Sequence, residues 1–158
     1  MKNKKLKIGI SLRVVENTDY NEKRDALSHD WSQFFEKLGI NPLLIPNTIK
    51  DVSSFLEDMQ VQGLFLSGGD NIGDNQDRDV TEQKIINYCL DKKIPLIGIC
   101  RGMQVINTFF GGRIETLENS KHVGDPHFVS LNKNIAEFLH TNELQVNSFH
   151  NNIIKQKN

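Results

Sequence analysis

Cysteine is scarce in this chain, and its scarcity excludes two classes of small protein. The 158 residues include two cysteines, Cys89 and Cys100, and no Cys-x-x-Cys pair. This pattern argues against a disulfide framework and against a structural zinc site. His122 and His127 flank a turn but have no convincing third ligand, so we expect no metal, and the sequence calls for no other cofactor.

Long apolar runs and a surplus of charge of one sign are absent as well. No stretch approaches the roughly 20 apolar residues that cross a bilayer, and the run at residues 6–12 is too short, and interrupted by Lys7, to be a signal peptide. The formal net charge is -1, unlike the basic footprint of a nucleic-acid-binding protein. We therefore predict a cytoplasmic protein that binds neither nucleic acid nor membranes.

The chain instead alternates short apolar runs with longer amphipathic segments. Strands are predicted at 6–12, 42–46, 63–67, 95–99, 128–131 and 144–148; helices are predicted at 24–38, 51–59, 80–91, 104–110 and 135–140; residues 71–79 are typical of a polar surface loop. This alternation predicts an α/β fold, with a mostly parallel sheet flanked by helices, in a single domain spanning residues 1–158. Such sheets bind ligands at the carboxyl ends of their strands.

Cys100 lies at one of those strand ends, between a buried strand and a helix. The segment Gly98-Ile99-Cys100-Arg101-Gly102 is typical of a nucleophile elbow, a tight turn that tolerates only small residues around the nucleophile. The thiol would then lie at a helix N-terminus, whose dipole favours the reactive thiolate. We predict that Cys100 is a nucleophile, whereas Cys89, inside an amphipathic helix, is predicted to pack in the core.

A second strand end, Ser67-Gly68-Gly69-Asp70, carries a pair of glycines. We expect its strand to lie beside the strand of Cys100. Glycines let backbone N–H groups approach a ligand closely, and acyl transfer needs such donors aimed at the developing oxyanion. The alternative is a plain tight turn, but the pairing with the Cys100 elbow favours a functional loop.

A family resemblance rests on these segments and on others in the same order. Gly98-Ile99-Cys100-Arg101-Gly102-Met103-Gln104 resembles the signature of class I glutamine amidotransferases, and within them that of the γ-glutamyl-γ-aminobutyrate hydrolase family, peptidase family C26. Three further matches, besides the glycine loop, are Arg78-Asp79-x-x-Glu82, Asn107-x-x-x-Gly111-Gly112 and Val146-Asn147-Ser148-x-His150. Arg24-Asp25-Ala26-Leu27 before Asp30-Trp31 is similar to a small branch that includes γ-glutamyl-CDP-amidate hydrolase.

The resemblance implies a flavodoxin-like sheet and cysteine-dependent hydrolysis of a γ-glutamyl amide bond that releases glutamate. Cys100 would attack the γ-carbonyl and form a glutamyl thioester, while Gly69 and Arg101 would supply the N–H groups of an oxyanion hole. The substrate-binding residues implied in the same way are Gly68, Gln104, Asn147, Ser148 and His150.

Two parts of the family pattern are absent from this sequence. The resemblance implies a His-Pro-Glu triplet whose His activates the thiol, but no His-x-Glu occurs here, and His150 is a less favoured replacement. The family's Pro-x-x-Tyr after the glycine loop is also missing. We therefore expect a domain that is C-terminally incomplete, turns over little or no substrate alone, and is marginally stable or self-associating.

Three functions stay open on this basis. The chain could hydrolyse a small-molecule γ-glutamyl amide, act as a glutaminase subunit that supplies ammonia to a synthetase partner, or be a non-catalytic relative. Arg101 and the Arg78-Asp79 pair favour the first function, whereas the missing His-Glu pair favours the third.

Overall fold

The computed structural model describes residues 6–116 and 124–155. These residues form two compact units that divide after Gly111, and each unit is described by itself. The single domain spanning residues 1–158 stays a prediction. His122 lies outside the described residues.

The first unit is built on a parallel sheet. Its strands are β1 (Lys7–Ser11), β4 (Asn41–Ile45), β5 (Gly63–Leu66) and β6 (Leu96–Gly98), joined in the order β4-β1-β5-β6. The helices are α1 (His29–Lys37), α2 (Val52–Asp58), α3 (Gln76–Lys92) and α4 (Arg101–Phe109). Between β1 and α1 the chain forms an antiparallel hairpin of β2 (Arg13–Asn17) and β3 (Glu22–Ala26). A parallel sheet flanked by helices confirms the predicted fold class, and β5 lies beside β6 as expected.

Polar side chains fix where three of these helices begin. The side chains of Ser28, Asp51 and Asn75 each accept a hydrogen bond from a backbone N–H two or three residues further along the chain. Each N-cap accepts a hydrogen bond from a backbone N–H group that has no acceptor within the helix, and it stabilises the helix by about 1 kcal/mol. The core between helices and sheet consists of fully buried aliphatic side chains from both layers, among them Ile45, Leu56, Leu64, Leu66, Ile85 and Ile86.

The predicted helix at 24–38 is wrong in its first part. Arg24, Asp25 and Ala26 belong to β3, where pairing with β2 keeps them extended. The carboxylate of Asp25 also accepts hydrogen bonds from the backbone N and Nδ2 of Asn47, at 2.9 and 2.6 Å, which ties the hairpin to the chain just after β4. The helix begins only after Ser28, since that side chain caps it.

Other boundaries also differ from the prediction. The loop predicted at 71–79 ends at Asn75, because the Asn75 cap starts α3 there. The spacing of apolar residues predicts burial of Leu90, Phe34 and Leu38 on their helices, but these side chains are 51%, 43% and 54% exposed. Strand β2 was not predicted, because its sequence is mostly polar and its residues are paired only within the hairpin.

The second unit contains two antiparallel strand pairs and one short helix. Strand β7 (Arg113–Thr116) pairs with β10 (Asn152–Lys155), neither of which was predicted, and β8 (His127–Ser130) pairs with β9 (Glu143–Val146). Helix α5 (Lys133–Leu139) is capped by Asn132. Three of the unit's aromatic side chains, Phe128, Phe138 and Phe149, are exposed. No helix in the described parts of either unit has the length and apolar character to cross a bilayer.

The core of the first unit generates a stability prediction. Replacing the fully buried Ile85 by Ala should lower the free energy of unfolding by about 2–5 kcal/mol, because apolar contacts are lost and a cavity is left. Leu90→Ala, on the exposed side of the same helix, should change it by less than about 0.5 kcal/mol. Urea denaturation followed by circular dichroism measures both, and equal losses in the two variants would contradict the assigned core.

Candidate active site

Cys100 occupies a strained turn between β6 and α4. Its backbone has φ 53° and ψ −111°, a conformation that L-residues rarely adopt, and it lies immediately before the first residue of α4. The side chain is exposed, and it forms no capping hydrogen bond with the helix. The turn therefore presents the thiol to solvent at the carboxyl edge of the sheet, as the elbow interpretation predicted.

Two glycines make this turn sterically possible. A Cβ on Gly102 would overlap the backbone carbonyl of Leu66 at the end of β5, and a Cβ on Gly98 would overlap the backbone of Gly102. Backbone atoms cannot rotate away as side chains can, so neither site accepts a larger residue without moving the turn. The predicted need for small residues at both positions is confirmed, and the first turn of α4 packs directly against β5.

This packing brings the glycine loop to the thiol. A Cβ on Gly68 would lie 3.3 Å from Cys100 Cβ and 3.9 Å from Cys100 Sγ, so the loop backbone is in contact with the nucleophile. Gly69 and Asp70 follow with φ 84° and 55°, left-handed conformations that glycine adopts freely and aspartate tolerates. Gly68, Gly69 and Cys100, predicted as one site from separate motifs, therefore lie together.

Three carbonyl groups of the loop bond to one buried guanidinium. Arg78, on the first turn of α3, donates from Nη2 to the oxygens of Ser67 and Gly68, both at 3.0 Å, and from Nη1 to the oxygen of Gly69 at 2.9 Å. Its side chain is completely buried. Arg78 thereby holds three consecutive carbonyls on one side of the loop.

Backbone donors beside the thiol are left available. Within residues 6–116 and 124–155, the N–H groups of Gly69 and Arg101 donate no hydrogen bond to a protein acceptor. The first residues of any helix lack intrahelical acceptors for their N–H groups, which accounts for Arg101. These are the two N–H groups predicted for the oxyanion hole, and that role stays a prediction.

The carboxylate of Glu82 connects the glycine loop with the elbow helix α4. It accepts hydrogen bonds from Ser11 Oγ at 2.8 Å on Oε1, from Arg78 Nε at 3.0 Å on the same oxygen, and from Arg101 Nη1 on Oε2. Ser11 Oγ in turn accepts from the backbone N–H of Ser67 at 3.0 Å. One buried carboxylate therefore links β1, the glycine loop, α3 and the elbow helix.

The side chain of Arg101 is buried in this network. Its guanidinium pairs with Glu82 and with Asp79, and it is 2% exposed. Its Nε has no partner among the described residues. Arg101 therefore supports the elbow through its side chain, and only its backbone N–H is left for the predicted oxyanion role.

The other predicted substrate residues lie in both units. Gln104 is buried one turn after Cys100 on α4. Asn147, Ser148 and His150 belong to the second unit, where His150 Nδ1 lies 2.9 Å from the carbonyl of Asn152. Their place in a common site with Cys100 stays a prediction. No group of three His, Cys, Asp or Glu in the described ranges is arranged to hold a metal ion.

Sequence reasoning missed three residues around the loop. Ser11, the last residue of β1, and Arg13, the first of β2, lie beside the glycine loop, and Glu82 links it to the elbow. The signal for Glu82 was its spacing in Arg78-Asp79-x-x-Glu82, which places Arg78 and Glu82 one helical turn apart on the same face. The other two carried no signal, since only the strand order shows that the end of β1 adjoins the loop.

Comparison with known proteins agrees with this architecture. A solved structure of a candidate GMP synthase component from Thermoplasma acidophilum superposes with a TM-score of 0.67 at 27% identity, covering 96% of this chain and 68% of that one. The peptidase C26 family profile matches residues 8–158. The chain belongs to the peptidase C26 family, whose fold is that of the class I glutamine amidotransferases.

Two individual proteins are similar to this chain in sequence. The chain is 35% identical over 157 residues to gamma-glutamyl-CDP-amidate hydrolase of Campylobacter jejuni, covering 94% of this chain and 72% of the relative. It is 32% identical over 122 residues to a candidate glutamine amidotransferase of Schizosaccharomyces pombe, covering 60% of this chain and about half (48%) of that protein. The predicted family and its small branch are therefore confirmed.

The carboxylate network generates a stability prediction. Glu82→Gln keeps the shape of the side chain but removes the charge that faces Arg78 and Arg101, so it should lower the free energy of unfolding by about 3–5 kcal/mol. Glu57→Gln, which weakens a half-exposed pair with Lys92, should cost less than about 1 kcal/mol. If urea denaturation gave both variants the same small loss, Glu82 would not organise the site.

The two cysteines should also behave differently. Burial raises the pKa of the Cys89 thiol to about 12, while Cys100 is exposed. Ellman's reagent at pH 7.5 should therefore titrate one thiol in the folded chain and two in denaturant, and Cys100→Ala should remove the fast one. Two fast thiols in the folded chain would contradict the assigned burial.

The raised pKa of the Cys89 thiol makes the stability of the fold depend on pH. Because the folded state holds the Cys89 proton more tightly than the unfolded chain, whose thiol titrates at about 9, this stabilisation is complete below pH 9 and is lost as the pH rises towards 12. Cys89→Ala should flatten the decline of unfolding free energy in that pH window, measured by urea titration at several pH values.

Proposed function

We propose that this chain carries the nucleophile and the oxyanion-binding loop of a hydrolase that cleaves γ-glutamyl amide bonds. The observation that carries the proposal is an exposed cysteine in a strained turn, in contact with a loop whose backbone N–H at Gly69 has no protein acceptor among the described residues. The similarity to gamma-glutamyl-CDP-amidate hydrolase supports the choice of acyl group. The fold alone would not support this choice, since one fold hosts many activities.

The first chemical step uses only groups of the first unit. The thiolate of Cys100 attacks the γ-carbonyl carbon, forming a C–S bond while the carbonyl electron pair moves to oxygen. The resulting oxyanion accepts hydrogen bonds from the N–H groups of Gly69 and Arg101. Both donors belong to backbone that is fixed before substrate arrives, so little reorganisation is needed as the charge develops.

The later steps need acid–base chemistry. Collapse of the tetrahedral intermediate breaks the C–N bond, and the leaving amine takes a proton. Water then adds to the glutamyl thioester, gives up a proton and releases glutamate with regeneration of the thiolate. The family's His-x-Glu does not occur in this sequence. Turnover therefore requires an acid–base group beyond those assembled around Cys100, whereas alkylation by a diazoketone consumes only the proton that the thiol itself carries.

A second candidate is a glutaminase that supplies ammonia to a synthetase. The structural similarity to a candidate GMP synthase component favours it. The two functions differ in one measurable respect: a glutaminase of this kind should hydrolyse glutamine at a rate that depends on the partner, whereas a γ-glutamyl amide hydrolase should not depend on one.

Covalent labelling tests the proposal directly. 6-Diazo-5-oxo-L-norleucine is a glutamine-shaped diazoketone whose diazo carbon takes the proton of the Cys100 thiol and forms a C–S bond while dinitrogen leaves. This labelling should be at least about tenfold faster than that by iodoacetamide when each rate is normalised to that of free glutathione. Mass spectrometry of the intact chain and its peptides measures both rates. Cys100→Ser should abolish the labelling, and Cys89→Ser should leave it unchanged.

The same experiment identifies the non-catalytic alternative. Labelling of Cys100 no faster than that of glutathione, by either reagent, would contradict the proposed function and favour a relative that keeps only the fold. Steady release of glutamate from glutamine or γ-glutamyl amides by this chain alone would overturn the expectation of little or no turnover, and His150→Ala would then show whether His150 is the base.

A further inference from the structure

Arg13 is a charged side chain beside the candidate site that the proposed mechanism does not use. It begins β2 directly after β1 ends at the carboxyl edge of the sheet. A Cβ on Gly69 would lie 3.3 Å from Arg13 Cζ and Nε and 3.4 Å from Nη1, so the guanidinium lies against the backbone of Gly69. Gly68, the adjacent residue, contacts Cys100. The arginine and the thiol therefore contact consecutive residues of one loop.

The Arg13 guanidinium has donors to spare. It donates from Nη2 to Asp70 Oδ1 at 3.1 Å, and it bonds no other acceptor among residues 6–116 and 124–155. A guanidinium carries five N–H donors in a rigid fork. The side chain is 48% exposed, so the remaining donors can be reached from solvent.

The pair with Asp70 does not exhaust the donors of Arg13. The other oxygen of that carboxylate, Oδ2, already accepts from Arg78 Nη1 at 2.9 Å, and Arg78 is completely buried. Of the three arginines around the loop, Arg78 and Arg101 are enclosed by protein, and Arg13 alone of these three reaches solvent. A cation at the rim of the site is thus available to a ligand.

We infer that Arg13 binds an anionic group of the substrate and so sets specificity at this site. The inference rests on the proposed function. Two groups share the required chemistry: the α-carboxylate that every γ-glutamyl unit bears, and a phosphoryl group on the leaving side of the amide. A guanidinium bonds either with two parallel N–H donors, which an ammonium cannot do. Arg13 acts on binding, and the bond-breaking steps do not involve it.

The test compares two diazoketones on the full chain. One is 6-diazo-5-oxo-L-norleucine and the other is its α-carboxamide, which has the same shape without the negative charge. If the bound group is the α-carboxylate, the acid should label Cys100 at least about tenfold faster than the amide, and Arg13→Gln should abolish that preference. Arg13→Lys should restore only part of it.

A second arm detects a phosphoryl group. Inorganic pyrophosphate should then slow the labelling of Cys100 in the wild-type chain and not in Arg13→Gln, while the acid and the amide react equally. Arg24→Gln is the matched control, because Arg24 lies on the same hairpin with an exposed partner, Glu22. Arg24→Gln should leave both the acid-to-amide rate ratio and the slowing by pyrophosphate unchanged. Thermal denaturation checks that each variant is folded, and a purely structural role for Arg13 would not alter a ratio between two probes.

The outcomes separate this inference from the proposed function. Two results would overturn the role of Arg13 and leave the proposed function standing. In the first, both diazoketones label Cys100 rapidly and at equal rates, and pyrophosphate does not protect it. In the second, the charge preference or the protection is present but is unchanged in Arg13→Gln. Absence of labelling by either diazoketone would contradict the proposed function, and the inference with it. A charge preference or a protection that depends on Arg13 supports both.

Discussion

A single buried carboxylate holds the candidate site together. Glu82 accepts hydrogen bonds from Ser11, Arg78 and Arg101, and through them it joins the first strand, the glycine loop and the elbow helix. Burial of ions is costly unless each has a counter-charge and hydrogen bonds. Here the partners are present in balanced number, since three arginines face three carboxylates: Arg13, Arg78 and Arg101 with Asp70, Asp79 and Glu82.

This network offsets the strain at the nucleophile. A residue such as Cys100, held at positive φ, persists only when its surroundings determine the conformation. Two restraints do so. Gly102 packs without a side chain against the end of β5, and the guanidinium of Arg101 is anchored on α3. The strain lies at the exposed Cys100, while the side chains of Arg101 and Glu82 that help to maintain it are buried.

The geometry of the elbow was predicted well, because its signal is local in sequence. Strand, glycine, cysteine, glycine and helix follow one another within a few residues, and that order alone specifies a tight turn at a helix start. The glycine loop was likewise identifiable as a strand end. Helix and strand boundaries were less certain, because short polar side chains decide them: Ser28 and Asn75 start two helices where the apolar pattern does not change.

What the sequence could not show is contact between distant segments. Residues 24–26 have the composition of a helix, but pairing across a hairpin and the bonds from Asp25 to Asn47 keep them extended. Strands β7 and β10 are defined only by each other, at a separation of more than thirty residues. Arg13 and Ser11 owe their place beside the loop to the strand order of the sheet, which no local pattern encodes.

Arg78 limits which sequences could carry this site. Its five N–H groups bond the oxygens of three successive peptides and two carboxylates in a space from which water is excluded. Lysine has three donors on one atom and cannot reach acceptors spread across that arc. Position 78 should therefore be among the least replaceable in the chain although the proposed mechanism assigns it no contact with substrate. In a survey of tolerated substitutions it would be indistinguishable from a catalytic residue.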